Sequence, residues 1–142
     1  MALALKEAKK AYAKGNVPVG AAIFKDGALI AKAHNTAHPL GHAELLAIQK
    51  AMKKLGGRLE DCDLYVTLEP CAMCAGALAL ARIKRLYFGA YDTQSGACGG
   101  KIDVLREGLS NHRVEVFGGI MEKECETMLT AFFEERRKQI DN

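Results

Sequence analysis

The sequence has no apolar run approaching the ~20 residues that a membrane helix needs, so no membrane partner is expected. Its start, Met1-Ala2-Leu3-Ala4-Leu5, runs at once into Lys6, Glu7, Lys9 and Lys10. It has neither the basic leader nor the long apolar stretch of a secretory signal, and a cytoplasmic location is expected. Internal repeats, low-complexity tracts and linkers are lacking too, which points to a single domain over residues 1–142. Net charge is scarce: +3 indicates no partner by itself. The basic residues do cluster, in Lys6/Lys9/Lys10/Lys14, Arg82/Lys84/Arg85 and Arg136/Arg137/Lys138. A phosphate backbone would favour such patches, but solvated helix faces have the same composition. The five cysteines are an odd number, two of them in a Cys-x-x-Cys. In a cytosolic chain that spacing points to metal or redox chemistry, not to a disulfide framework.

What is present is an ordinary globule, 49% hydrophobic and 26% charged, long enough to bury a core. The spacing predicts a helix over Leu3 to Ala13, with Leu5, Ala8 and Tyr12 on one face and Gly15-Asn16 as its stop. Val19 to Lys25 and Leu29 to Ala33 flank Asp26-Gly27 and read as a hairpin. From His42 the pattern is helical, with Leu45, Ile48, Gln49 and Met52 on one face and Gly56-Gly57 at the end. Asp63 to Leu68 reads as a strand, Cys71 to Ala81 as a helix, and Arg85 to Gly89 as a strand. Thr93 to Gly100 is a glycine-rich loop, and Val104-Leu105 a helical turn. Arg113 to Phe117 reads as a strand. Glu122 to Lys138 is a helix whose Cys125, Met128, Leu129, Phe132 and Phe133 form an apolar stripe. Strands alternating with helices imply an α/β fold with a mainly parallel sheet, in which only the first hairpin must be antiparallel.

Chemistry concentrates in two short stretches, Gly41-His42-Ala43-Glu44 and Pro70-Cys71-Ala72-Met73-Cys74. Cys71 and Cys74 lie one helical turn apart at a helix start, where thiols ionise more readily. By themselves they would suit two small core residues or a redox pair equally. His42 is preferred as a third ligand over His34 and His38 because it opens a helix beside Glu44. Residues i and i+2 point to opposite sides of an ideal helix, so His42 and Glu44 share a pocket only if the helix begins at His42. Three ligands leave a tetrahedral zinc one open position, which is the catalytic arrangement. Glu44 is then placed to carry a proton. A structural site with a fourth cysteine is the alternative; Cys125 fits the core, while Cys62 and Cys98 stay open.

The His42-Ala43-Glu44 and Pro70-Cys71-Ala72-Met73-Cys74 segments resemble the zinc-dependent cytidine/deoxycytidylate deaminase superfamily, whose established signature they match. Within it the chain is similar to the bacterial tRNA adenosine deaminases that make inosine at the anticodon wobble position. The similarity runs through Val17-Pro18-Val19-Gly20-Ala21, His34-Asn35, Leu64 to Cys71, Ala81-Arg82-Ile83, Phe88-Gly89-Ala90, Asp103-Val104-Leu105, Asn111 to Val116 and Phe132-Phe133. It implies a three-layer α/β/α fold with a five-stranded mixed sheet, a homodimer, and one Zn2+ per subunit on His42, Cys71 and Cys74. It further implies a catalytic Glu44, a tRNA anticodon stem-loop as partner, and substrate contacts from Asn35, Ala43, Val17 and Pro70. Asp92 matches a position near the nucleic acid in the family, though by itself it reads as a loop acid. Residues 36–41 form a shorter loop than the family usually has there. That keeps a free base or nucleoside (guanine, cytosine, cytidine) as an alternative substrate. A non-catalytic RNA-binding partner subunit is a further alternative, opposed by the presence of Glu44.

Overall fold

The computed structural model of the chain describes residues 1–106 and 112–141. Helix α1 (Ala2–Ala13) leads into strand β1 (Gly20–Lys25), and a two-residue turn reverses the chain into β2 (Ala28–His34). Asp26 and Gly27 both have positive φ, 51° and 78°, as the tight hairpin turn demands. Then come α2 (Ala43–Leu55), β3 (Cys62–Leu68), α3 (Ala72–Ala81), β4 (Arg85–Ala90), β5 (Glu115–Phe117) and α4 (Glu122–Asp141). The element order is the expected one. Strand β5 is shorter than expected, α4 is longer, and the turn at 104–106 is present. Asn111, one residue of the family resemblance, lies outside the described residues.

The five strands stand in the order β2-β1-β3-β4-β5. Strand β1 pairs antiparallel with β2 and with β3, whereas β3–β4 and β4–β5 are parallel. The sheet is therefore evenly mixed rather than mainly parallel. The hairpin turns β1 back into the middle of the sheet, and β1 then runs against β3. Its first four residues are all buried, as a central strand requires.

Helices α1 and α4 cover one face and α2 and α3 the other, giving three layers. Two strand glycines permit the close approach on the first face. A Cβ at Gly20 would strike the Ala4 carbonyl and the Ala8 amide of α1, and one at Gly89 would strike Cys125 Sγ of α4. Helix α2 buries Ala43, Ala47, Ile48 and Ala51, so of the expected Leu45, Ile48, Gln49 and Met52 stripe only Ile48 is fully buried. Gln49 is exposed and Met52 is 37% exposed. The reason is packing distance: alanines let α2 sit close against Ala31 and Ala33, which bulky side chains would not. In α4, Cys125 and Phe132 are buried as expected, while Phe133 is exposed.

A buried acid ties α1 to the end of β2. Glu7 is 4% exposed. Lys10 Nζ forms an ion pair with its Oε2 at 2.6 Å. His34 Nδ1 donates to Oε1 at 3.2 Å, and Lys14 Nζ donates to His34 Nε2 at 3.1 Å. Burial pushes the Glu7 carboxyl up, but Lys10 and His34 outweigh it and hold the group below its ordinary 4.5. A depressed carboxyl stabilises the fold fully above its ordinary value, and the contribution is lost as pH falls through the folded value. Glu7→Gln should cost about 1–3 kcal/mol near neutral pH, read from urea midpoints. The gap to the native chain should close below pH 4.5. An equal gap at high and low pH would remove this role.

Candidate metal centre

His42 and Cys71 are both helix N-caps. His42 has φ −80° and ψ 140°, and Cys71 φ −74° and ψ 176°, extended backbone in each case. Their carbonyls already accept the first helical bonds, from Leu46 N and Ala75 N. Neither side chain caps its own helix. Both are free to turn into the space between the two helix starts. This resolves the geometry of His42 and Glu44: the helix begins after His42, so both side chains enter one pocket.

His42 Nδ1 lies 3.5 Å from Cys71 Sγ and 3.6 Å from Cys74 Sγ. The three ligand atoms all fall within 4.8 Å of one another, a group that could hold one metal ion. Cys74 is fully buried, whereas His42 and Cys71 are half-buried, so the pocket opens on their side. Among the described residues Cys62, Cys98 and Cys125 are free and buried, and none belongs to this group. Nor do the other nearby histidines. His34 is bonded to Glu7, and His38 Nδ1 accepts the Leu40 amide at 3.1 Å.

The electrostatics suit acid–base work. Burial is the main cause that brings the Glu44 carboxyl up to about 7; its own backbone amide and His42 oppose the rise, and the Cys71 charge adds to it. Glu44 is 4% exposed. The hydrogen bond from Cys74 is the main cause that brings the Cys71 thiol down to about 5, with help from His42. The same bond and burial raise the Cys74 thiol.

Of the expected substrate residues, Ala43 follows His42 and Pro70 precedes Cys71 in the chain. Asn35 Oδ1 accepts the Ala43 amide at 2.8 Å, so two of them are bonded to each other. Asn35 N donates to Val19 O, and Val19 N to Val17 O, which brings Val17 into the same chain of contacts. Pro70 is buried, and its carbonyl accepts Ala97 N at 2.9 Å. The short loop at 36–41 closes on itself: Thr36 N donates to Gly41 O, and Gly41 N to His38 O. Several basic residues have partners within the chain. Arg85 bonds Asp63 at 2.9 Å, and Arg136 lies over the Phe132 ring. Sequence reasoning missed Glu69, a buried acid next to Pro70 that faces the glycine-rich loop. The available signal was an acid beside a ligand segment with glycines clustered downstream.

The MafB19-like deaminase family model matches residues 1–137. The chain belongs to that family. This deaminase-family chain is 50% identical over 141 residues to a Bacillus subtilis protein named tRNA-specific adenosine deaminase, covering 96% of this chain and 88% of that one. A solved structure from work on A-to-I editing by tRNA:A34 deaminases superposes with a TM-score of 0.87 at 41% identity, covering 91% of this chain and 97% of that one. A guanine deaminase from Nitrosomonas europaea superposes with a TM-score of 0.78 at 25% identity, covering 92% and 81%. The shared fold is the three-layer α/β deaminase fold with its five-stranded mixed sheet. No helix among the described residues is long and apolar enough to cross a membrane.

Proposed function

We propose that this chain is a cytoplasmic zinc hydrolase that converts adenosine to inosine at the wobble position of a tRNA anticodon loop. It acts as a single domain and as a homodimer with one zinc ion per subunit. The observation that carries the reading is the three-ligand group with Glu44 inside it, on a chain half identical to a named tRNA adenosine deaminase. The donor set fits zinc. Tetrahedral bonds of ~2.3 Å to sulfur and ~2.05 Å to nitrogen put N and S about 3.6 Å apart. His42 Nδ1 meets the two sulfurs at 3.5 and 3.6 Å.

His42, Cys71 and Cys74 would hold the zinc ion, which would supply Lewis acidity to the attacking water. Glu44 does the proton work. Its carboxylate takes a proton from the attacking water and passes it to N1 of adenine, which makes C6 electrophilic. It then takes the remaining proton from the new C6 hydroxyl and gives it to the departing amine, so that a C6=O bond replaces the C6–N bond and ammonia leaves. Burial raises this carboxyl, which favours its taking up a proton during the reaction. Asn35, its Oδ1 already engaged by Ala43, would meet the nucleoside through its amide NH2, with Val17 and Pro70 as the further contacts expected from the resemblance. A base stacked in a duplex would not reach this pocket, whereas an anticodon loop presents its bases unstacked.

The compact turn at 36–41 favours one second reading, deamination of a free base such as guanine, which the neighbouring guanine deaminase fold accommodates. Ammonia release from a transcribed tRNA with adenosine at the wobble position, run against free bases and nucleosides, separates the two. Turnover of only the free compounds would overturn the tRNA assignment. For the homodimer, the apolar side chains Met52, Leu55 and Leu80, 37%, 37% and 80% exposed, offer surface to cover. A monomer in sedimentation at micromolar concentration would remove that part.

A further inference from the structure

Glu69 is a carboxylate with 2% exposure, placed between β3 and Cys71. A charge in such a place is costly unless hydrogen bonds replace its water. Three backbone amides do so. Asp92 N donates to Oε1 at 3.0 Å, and Cys98 N and Gly100 N donate to Oε2 at 3.0 and 2.7 Å. Gly96 and Gly100 sit so close that a Cβ on either would overlap the carboxyl group. The loop from Asp92 to Leu105 is thus wrapped around one acid.

The same loop is stitched to the ligand segment. Gly96 forms an antiparallel bridge with Cys71, and Ala97 N donates to the Pro70 carbonyl at 2.9 Å. Val104 N returns to Ala97 O at 2.8 Å. Asp92 Oδ1 accepts Gln94 N and Ser95 N, which makes the exposed tip a self-bonded turn that moves with its anchor. Cys71 is the half-buried ligand at the open side of the pocket, so this loop is the wall beside the entrance.

We propose that Glu69 is a positioning residue: through three amides it fixes the 92–105 loop as the wall that holds the substrate nucleoside, touching neither metal nor substrate itself. The statement about substrate rests on the deaminase reading above. Its signature is a loss of substrate binding with the chemical step and the metal left in place. Glu69→Gln is the direct test, because a carboxamide keeps one acceptor oxygen and turns an NH2 toward a backbone donor. Amide exchange at Asp92, Cys98 and Gly100 should speed up about tenfold or more. KM for an anticodon stem-loop RNA should rise about tenfold or more, with kcat within about threefold and zinc content unchanged. Gly100→Ala pushes the same contact apart from the loop side while leaving Glu69 intact, and should reproduce the pattern if Glu69→Gln does not fold. Slow exchange in both variants, a fall in kcat at constant KM, or loss of zinc would overturn the proposal. If the native chain does not turn over RNA, the deaminase reading falls. The exchange and zinc measurements then decide the role of Glu69 by themselves: fast exchange with zinc retained upholds the anchor, and unchanged exchange ends it.

Discussion

Glu44→Gln should retain its metal and release ammonia about 10²–10⁴-fold more slowly than the native chain, the span that positioned proton transfer contributes. The carboxyl is 4% exposed and raised to about 7 by burial, so no surface acid replaces it in the pocket. Glutamine keeps the shape and one acceptor oxygen but cannot take a proton from water. Helix α2 should be undisturbed, because Glu44 is not its cap; Asn35 supplies the oxygen that binds the Ala43 amide. Replacing a buried ionisable group with a neutral side chain of the same shape should leave the melting temperature unchanged or higher. The measurements are single-turnover deamination of an anticodon stem-loop and metal content by atomic absorption. Turnover within tenfold of native would end the proton-carrier role. Loss of the metal would show instead that Glu44 belongs to the ligand set.

Cys71→Ala should yield protein with little bound metal, no measurable deamination and a much lower melting temperature. Cys71 and Cys74 come from the start of α3, and His42 from the start of α2. One ion held there would join the starts of the two helices. An ion present at a thousand times its dissociation constant stabilises by about 4 kcal/mol. For a chain of this size that corresponds to roughly 10–20 °C in melting temperature. A strong chelator should lower the native chain by that amount and leave Cys71→Ala where it already is. The two treatments remove one and the same contribution, so they should not add. If the chelator lowered both proteins equally, the ion would sit somewhere other than His42, Cys71 and Cys74. Asn35→Ala is the companion variant at the edge of the pocket: it removes an α2 amide partner along with a proposed substrate contact, so both stability and KM should move, by smaller amounts.

The metal group was readable from the chain because its geometry is local. Cys71 and Cys74 are one turn apart, and His42 precedes Glu44 by two residues with Gly41 before it. Any helix starting at those points brings each pair to a helix tip, whatever the rest of the fold does. The hairpin turn and the helix ends at Gly15 and Gly56 were readable for the same reason: a positive φ at a single residue is a local demand, met at 78° and 77°. The stripe in α2 misled because size and burial parted company. Its alanines and Ile48, with Leu46 partly buried beside them, pack into the core, while Gln49 and Met52 are exposed, since close helix–sheet approach selects small side chains.

Residue types at fixed short spacings therefore pointed to the three side chains that the fold gathers into a group able to hold a metal, and to which stretches are helix or strand. Only the folded chain decided that β1 lies antiparallel to β3, because pairing between segments about 40 residues apart depends on register and on what covers each face. It alone decided that Glu7 binds His34 and that Glu69 gathers the amides of Asp92, Cys98 and Gly100. A carboxylate can be buried only where enough donors converge. Those donors come from residues 23 to 31 positions away for Glu69 and 27 for Glu7, so no local spacing announces them.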